Sequence, residues 1–279
     1  MQNSTSHAFR EARRRGAAGR FVEGLLAVGR VAFTQDELVA QTGLSPIAAR
    51  NQLLRLDGLV RRVMPRQPFY LIVSPEHRAI GAPPPAWWLD DYFRWLNRPY
   101  YVALQSAAAE YGSAAQAIQV TQVITDRPHR DIEVGRLRLQ FFVKGDIHST
   151  PVQSPAQAQA PLNISTPEAT ALDLVAYANR LGGIERAAET LAPLLNAFTR
   201  TRLAEALKAG VATAHVQRFG FVLERLGGVR FADVVAQHLD KLRTNLVLLE
   251  PGQAAPSDRT PTVSSRWNVL ANISVEIQP

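Results

Sequence analysis

Cysteine is absent from this 279-residue chain, and lysine is scarce, with three residues. Without cysteine, a disulfide framework and a thiolate-bound metal are excluded, which fits a cytoplasmic protein. No apolar run approaches the roughly 18 residues that a membrane-spanning helix requires. The first residues are polar and rich in arginine, whereas a secretory signal needs an apolar segment there. We therefore expect a cytoplasmic protein that does not enter a membrane.

The residue patterns of the common enzyme classes are missing as well. The six histidines are dispersed, and none shows the i, i+4 spacing of a zinc-binding helix. There is no glycine-rich phosphate loop and no G-x-S-x-G nucleophile motif. The densest polar segment, Asp126–Asp131 (DRPHRD), is explained better by a charged turn than by acid–base chemistry. We predict a non-enzymatic protein with no catalytic residue, no metal site and no cofactor.

Charge is present, and it is concentrated at one end of the chain. The first 80 residues hold twelve arginines and six acidic residues, a net charge of +6, while the remaining residues carry only +1. Phosphate contacts require such a local excess of cations. A general preference for arginine explains the choice of arginine over lysine, but not the uneven distribution. The charge pattern therefore predicts that the first 80 residues bind nucleic acid.

Residues Thr34–Val73 carry the local signals of a helix-turn-helix. The first helix is predicted over Gln35–Gln41, with Thr34 as N-cap and Glu37 three residues later, the pattern of a capping box. Gly43 follows, and glycine readily adopts the left-handed conformation that ends a helix. The segment therefore predicts one short helix followed by a tight turn.

A second helix and a β-ribbon follow the turn. Ser45 is a second N-cap, and proline in the first position of the helix Pro46–Leu56 loses no hydrogen bond there. The segments Leu59–Met64 and Phe69–Val73 flank a proline-bounded turn, as the strands of a hairpin do. Two helices, a turn and a ribbon predict a winged helix-turn-helix, a shape that binds DNA.

The candidate DNA contacts lie opposite the apolar stripe of the second helix, on the ribbon and on an N-terminal arm. Arg50 is suited to guanine and Asn51 to adenine, and the N–H of Ser45 to a phosphate. The predicted contacts are Ser45, Pro46, Ile47, Arg50, Asn51 and Arg55 on the helix, Arg61, Arg62, Arg66 and Gln67 on the ribbon, and Arg13, Arg14 and Arg15 on the arm. Purely structural roles stay open as alternatives to DNA contact. In these, Ser45 only caps the helix, Ile47 packs on the first helix, and the arm is a solvated terminus.

The proline-rich segment Ser74–Ala86 is typical of a stiff linker. We place a domain boundary there, with a DNA-binding domain over residues 1–80 and a second domain over residues 81–279. The second domain is predicted to combine helices and strands, so the fold class is α+β. Its predicted elements are helices at Trp87–Leu96 and near Ala103–Tyr111, paired strands at Ile118–Ile124 and Ile132–Val143, a long helix starting at Ser165–Glu168, further helices to about Leu249, and a last strand at Trp267–Ile277. The aromatic residues Trp88, Tyr92 and Trp95 share one face of the first of these helices. This arrangement favours core packing over an interaction surface.

Several blocks, by their order and spacing, resemble the AbiEi family, the antitoxin components of type IV toxin–antitoxin systems. The resemblance covers roughly Arg20 to the C-terminus, and no single block is specific. The blocks are Thr42–Ser45, Leu56–Val60, Phe69-Tyr70, Pro99–Ala108 (PYYVALQSAA), Ser165–Val175 (STPEATALDLV), Arg218–Glu224 (RFGFVLE) and Arg266–Asn272 (RWNVLAN).

This resemblance implies an antitoxin that is also a transcriptional autorepressor. The N-terminal domain would bind operator repeats in double-stranded DNA upstream of its own operon. The C-terminal domain would neutralise a nucleotidyltransferase-type toxin encoded alongside, without a stable complex. The resemblance carries no catalytic residue to this chain.

The residues alone leave a second function open, an ordinary winged-helix transcription regulator whose second domain senses a ligand or dimerises. The oligomeric state is open too, including a monomer that binds DNA cooperatively.

Overall fold

The computed structural model describes residues 16–113, 120–155, 159–254 and 261–274. Helices and sheets are both abundant in these ranges, so the predicted α+β class is confirmed. The chain divides into two compact units. The first comprises the described residues of Met1–Arg98, Arg130–Gln140 and Ala156–Leu162, and the second comprises those of Pro99–His129, Phe141–Pro155 and Asn163–Pro279.

The first unit contains the helix-turn-helix and its ribbon. Its elements from the N-terminal segment are α1 (residues 16–27), β1 (Ala32–Thr34), α2 (Gln35–Thr42), α3 (Pro46–Leu54), β2 (Val60–Arg62), β3 (Phe69–Ile72) and α4 (Leu89–Trp95). The three strands form an antiparallel sheet in the order β1-β3-β2. The apolar faces of α1, α2 and α3 close over this sheet around buried residues such as Phe33, Leu38 and Leu53. This arrangement matches the predicted winged helix-turn-helix.

The predicted helix starts are confirmed by their capping contacts. The hydroxyl of Thr34 accepts a hydrogen bond from the N–H of Glu37 at 3.1 Å, and α2 ends at Gly43 with a φ of +69°. The capping box is incomplete, however, because the carboxylate of Glu37 accepts from Arg30 at 2.5 and 3.0 Å. The prediction was therefore right about the N-cap and wrong about the reciprocal contact.

The second helix ends two residues earlier than predicted, at Leu54. The N–H groups of Arg55 and Leu56 donate to carbonyls three residues back, which tightens the last turn before Val60 enters β2. The strand β1 was not predicted. Its pairing with β3, for example Phe33 with Tyr70, is a long-range contact. A segment of only three residues does not show such pairing in its sequence.

The aromatic segment predicted to open the second domain packs within the first unit. The ring of Phe69 lies 5.2 Å from that of Tyr92 and 5.5 Å from that of Trp95. The indole N–H of Trp88 donates to the carbonyl of Pro83 at 3.2 Å. Trp88 and Tyr92 are buried, as the predicted core role requires. By contact, the first unit thus continues through the proline-rich segment to Arg98, beyond the boundary predicted at residue 80.

The remaining strands and helices follow in chain order. They are β4 (Tyr100–Val102), α5 (Leu104–Glu110), β5 (Val120–Thr125), β6 (Ile132–Val134), β7 (Leu137–Val143), β8 (Val152–Gln153), β9 (Ile164–Ser165), α6 (Pro167–Ala176), α7 (Ile184–Leu191), α8 (Arg200–Leu207), α9 (Thr213–Arg225), α10 (Val229–Leu239), β10 (Val247–Leu248), β11 (Thr262–Ser264) and β12 (Val269–Ala271). The largest sheet has the order β6-β7-β5-β4-β9-β8, and the β6–β7 turn belongs to the first unit.

One predicted strand is in fact a hairpin. Residues Ile132–Val143 were expected as a single strand, but they form β6 and β7 on either side of the two-residue turn Gly135-Arg136. Gly135 has a φ of +62°, which such tight turns require and which glycine adopts without strain. The predicted pairing of this segment with the strand before it is confirmed for β7 and β5.

Helix α6 lies at the centre of the second unit. The sequence predicts a Ser or Thr cap for this helix, and Thr166 fills that role by accepting from the N–H of Ala169 at 3.4 Å. Its Asp173 is buried, with hydrogen bonds from the Tyr101 hydroxyl at 2.8 Å and the Lys144 ammonium at 3.1 Å. Burial raises the pKa of the Asp173 carboxyl despite the opposing effect of Lys144. Such a buried, paired charge is costly to leave with either partner missing.

Candidate nucleic-acid interface

Helix α3 separates its apolar and polar faces as a recognition helix does. Ala49 and Leu53 are buried in the first unit. Arg50 and Asn51 are exposed, and Ile47 is 75% exposed. The alternative that Ile47 packs on the preceding helix is therefore excluded. The exposed face presents an aliphatic side chain, a guanidinium and an amide side by side, which are groups that read base edges in a major groove.

The N-terminus of α3 is built from Ser45 and Pro46. The Ser45 hydroxyl accepts a hydrogen bond from the N–H of Ala48 at 3.2 Å, so its side chain serves as the cap. Proline occupies the first turn. Both residues are exposed. The Ser45 hydroxyl is already engaged, so a phosphate here would meet backbone N–H groups and the positive end of the helix dipole.

The ribbon presents Arg61 and Arg62 from β2, both exposed. The guanidinium of Arg62 donates to the hydroxyl of Tyr70 at 2.8 Å and lies 5.2 Å from the centre of that ring. Stacking and a hydrogen bond together hold this arginine in a defined position. The charge of Arg62 is therefore held in place beside α3.

The tip of the ribbon contains Arg66 and Gln67. Arg66 is exposed and has a φ of +70°, so the turn is tight. Gln67 is half-buried, and its side-chain carbonyl accepts a hydrogen bond from the Tyr92 hydroxyl at 2.7 Å. Burial raises the pKa of Tyr92 to about 12, so this hydroxyl remains a donor well above neutral pH. Gln67 thus connects the tip to α4, a contact that the sequence did not suggest.

A groove of about 440 Å³ separates α3 from the ribbon. Its lining residues are Arg50, Leu53, Leu54, Asp57, Val60, Arg62 and Tyr70. Leu54 is 69% exposed, and sequence reasoning missed it because its neighbour Leu53 fulfils the core periodicity. Two of the predicted cations therefore face one concavity together with an exposed leucine.

Most of these arginines have no acidic partner. Among the described residues, no carboxylate forms an ion pair with any of the exposed side chains Arg50, Arg55, Arg61, Arg62 and Arg66. By contrast, Arg30 in the same unit is paired with Glu37. The predicted arm residues Arg13, Arg14 and Arg15 lie outside the described residues. The unpaired cations lie on the predicted recognition helix and ribbon, where a polyanion would meet them.

The described ranges contain neither a candidate metal site nor a membrane-spanning helix. No group of three or more His, Asp or Glu side chains in that part of the chain is arranged to hold a metal ion. None of its helices combines the length and the apolar character needed to cross a membrane.

Comparison with known proteins finds a family match over the middle of the chain. Residues 100–225 match the model of the AbiEi antitoxin C-terminal domain. The crystal structure of RV2827C protein from Mycobacterium tuberculosis is similar in fold, with a TM-score of 0.59 and 18% sequence identity over 91% of this chain and 90% of that chain. No curated protein matches the chain.

These findings define a two-unit α+β protein that joins a winged helix-turn-helix to an antitoxin domain. Residues 100–225 are therefore similar to the C-terminal domain of the AbiEi antitoxins of toxin–antitoxin systems. The predicted resemblance is confirmed, and the family is not one of enzymes.

Proposed function

We propose that this antitoxin also represses its own operon, as a type IV antitoxin whose first unit binds operator repeats in the upstream DNA. The observation that carries the proposal is the exposed face of α3, where Ile47, Arg50 and Asn51 project from a helix whose other face is buried. The unpaired arginines of the ribbon supply the phosphate contacts.

A gel-shift assay tests the DNA-binding half of the proposal. The probe is a duplex from the region upstream of the protein's own gene, and the control is a scrambled duplex of equal length and composition. We expect tighter binding to the upstream duplex at two salt concentrations, and weaker binding to both at the higher salt. Equal affinity for the two duplexes would contradict a specific repressor, and no binding to either would contradict any DNA-binding role.

The second unit is proposed to neutralise a nucleotidyltransferase-type toxin encoded beside the antitoxin, in the cytoplasm and without a stable complex. The family of residues 100–225 supports the antitoxin role. Co-expression with the adjacent toxin gene should restore growth. The matched control is a variant with Arg50→Ala and Arg62→Ala, which alters the proposed DNA surface but leaves the second unit intact. Continued toxicity in the presence of folded antitoxin would refute the proposal.

A further inference from the structure

The turn of the β6–β7 hairpin lies against the segment that follows the ribbon, within the first unit. The N–H of Arg136 donates to the carbonyl of Ile80 at 2.7 Å. A Cβ atom on Gly135 would lie 2.8 Å from the Cα of Gly81 and closer still to the Ile80 carbonyl. The two backbones therefore touch directly, at a spacing that only glycine permits.

Arg61 of the ribbon reaches the same place. A Cβ atom on Gly81 would lie 3.6 Å from the guanidinium carbon of Arg61 and 3.1 Å from the Cα of Gly135. The ribbon cation therefore borders the hairpin turn. Arg136 is the next residue of that turn, although it is far from the ribbon in sequence.

The charges around this point are mainly positive and unpaired. Arg61, Arg78 and Arg136 are exposed, and no carboxylate among the described residues forms an ion pair with them. The neighbouring acid on the hairpin, Glu133, is instead 3.5 Å from Arg138, which offsets its charge. Exposed cations that share one edge repel each other, and a polyanion relieves that repulsion.

We propose that Arg136 extends the nucleic-acid surface and binds the phosphodiester backbone next to the segment held by Arg61. This inference rests on the proposed DNA-binding function and enlarges it. The binding surface is then composed of two distant parts of the chain, the winged helix-turn-helix and the turn of a hairpin. The hydrogen bond to Ile80 uses the backbone of Arg136, so the guanidinium is free to contact phosphate.

The test uses the full-length protein, the upstream duplex and the scrambled duplex defined above, over 50 to 200 mM salt. Arg136→Ala should weaken binding to both duplexes by the same factor. Loss of one phosphate contact reduces the steepness of log affinity against log salt by about 0.9. The ratio of wild-type affinity to variant affinity should therefore fall about 3.5-fold as the salt rises from 50 to 200 mM. Arg136→Lys should retain most of the slope because it keeps the charge.

Arg138→Ala is the matched control, since it removes an exposed arginine of the same hairpin that is paired with Glu133. It should leave affinity close to that of wild type, because the charge of Arg138 is already engaged by Glu133. Circular dichroism and the thermal midpoint verify that each variant is folded. If Arg61→Ala weakens binding but Arg136→Ala changes neither affinity nor slope, the hairpin proposal is overturned while the DNA-binding function stands. If wild type binds neither duplex, both fall.

Discussion

Gly220 lies in the middle of α9, directly against the indole ring of Trp267. A Cβ atom at this position would lie 2.7 Å from Cη2 of the ring and nearer still to Cζ3. Trp267 is 1% exposed and donates its indole N–H to Glu224 at 2.8 Å, so the ring has no room to withdraw. The absence of a side chain at Gly220 is therefore what allows the indole to pack on the helix.

We predict that Gly220→Ala destabilises the protein. Overpacking of this kind costs about 1–3 kcal/mol, and it outweighs the roughly 1 kcal/mol that alanine gains over glycine inside a helix. Urea denaturation measures the change. Gly24→Ala in α1 is the control, because nothing lies within 4 Å of its added Cβ, and it should be neutral or stabilising. A stable Gly220→Ala variant would show that Trp267 is not tightly held.

Ile47 is the most exposed large apolar side chain of α3, at 75%. On a recognition helix, an aliphatic group suits the methyl group of thymine. We predict that deoxyuridine in place of thymine in the upstream duplex weakens wild-type binding about fourfold, since one buried methyl is worth about 0.8 kcal/mol. Ile47→Ala should lose this sensitivity. If the variant responds to the substitution as wild type does, Ile47 does not read thymine.

At the scale of elements, the recognition helix and the ribbon should contribute differently to binding. We predict that Arg50→Ala weakens binding to the upstream duplex by about 1–3 kcal/mol and affects the scrambled duplex little, because it removes a base contact. Arg62→Ala should weaken both duplexes alike and reduce the salt slope by about 1, because it removes a phosphate contact. Titrations with both duplexes at several salt concentrations measure these effects. Equal losses on both duplexes for Arg50→Ala would assign that residue to the backbone.

The elements that the sequence predicts well are those with local causes. The predicted caps at Thr34 and Ser45 depend on contacts three residues apart, and the structure confirms both. Elements that depend on pairing between segments far apart in the sequence were not predicted. The strand β1 exists because it pairs with β3, and the hairpin turn at Gly135-Arg136 was masked by a continuous β-branched and apolar pattern.

The same distinction applies to the candidate site. Periodicity along α3 predicts which face is exposed, so the exposure of Arg50 and Asn51 followed from the sequence. Gln67 was expected as a free DNA contact, and only the structure reveals its bond to Tyr92. The turn that carries Arg136 borders Arg61 through the close contact of Gly81 and Gly135, which no spacing within the sequence encodes.

At the scale of the whole molecule, charge and packing divide the chain at different places. The excess of positive charge ends near residue 80, whereas the packed first unit continues to Arg98. The segment in between has no net charge, because Asp90 and Asp91 balance Arg94 and Arg98, and it supplies the aromatic rings that cover Phe69. A boundary drawn from charge marks the proposed DNA-binding surface, and a boundary drawn from contacts marks the unit that holds this surface in shape.

Two fragments distinguish these boundaries. Phe69 is 2% exposed, and its ring packs against Tyr92 and Trp95. A fragment of residues 1–80 loses this cover, and burial of such a side chain is worth about 1.5–3 kcal/mol. We predict that residues 1–98 unfold at a higher urea concentration than residues 1–80, as followed by circular dichroism. Phe69→Ala in the longer fragment should remove much of the difference in stability between the two fragments, because Tyr92 and Trp95 of α4 then lose the ring against which they pack. Equal stability of the two fragments would show that the domain ends at residue 80, as its charge indicates, and that α4 does not support the ribbon.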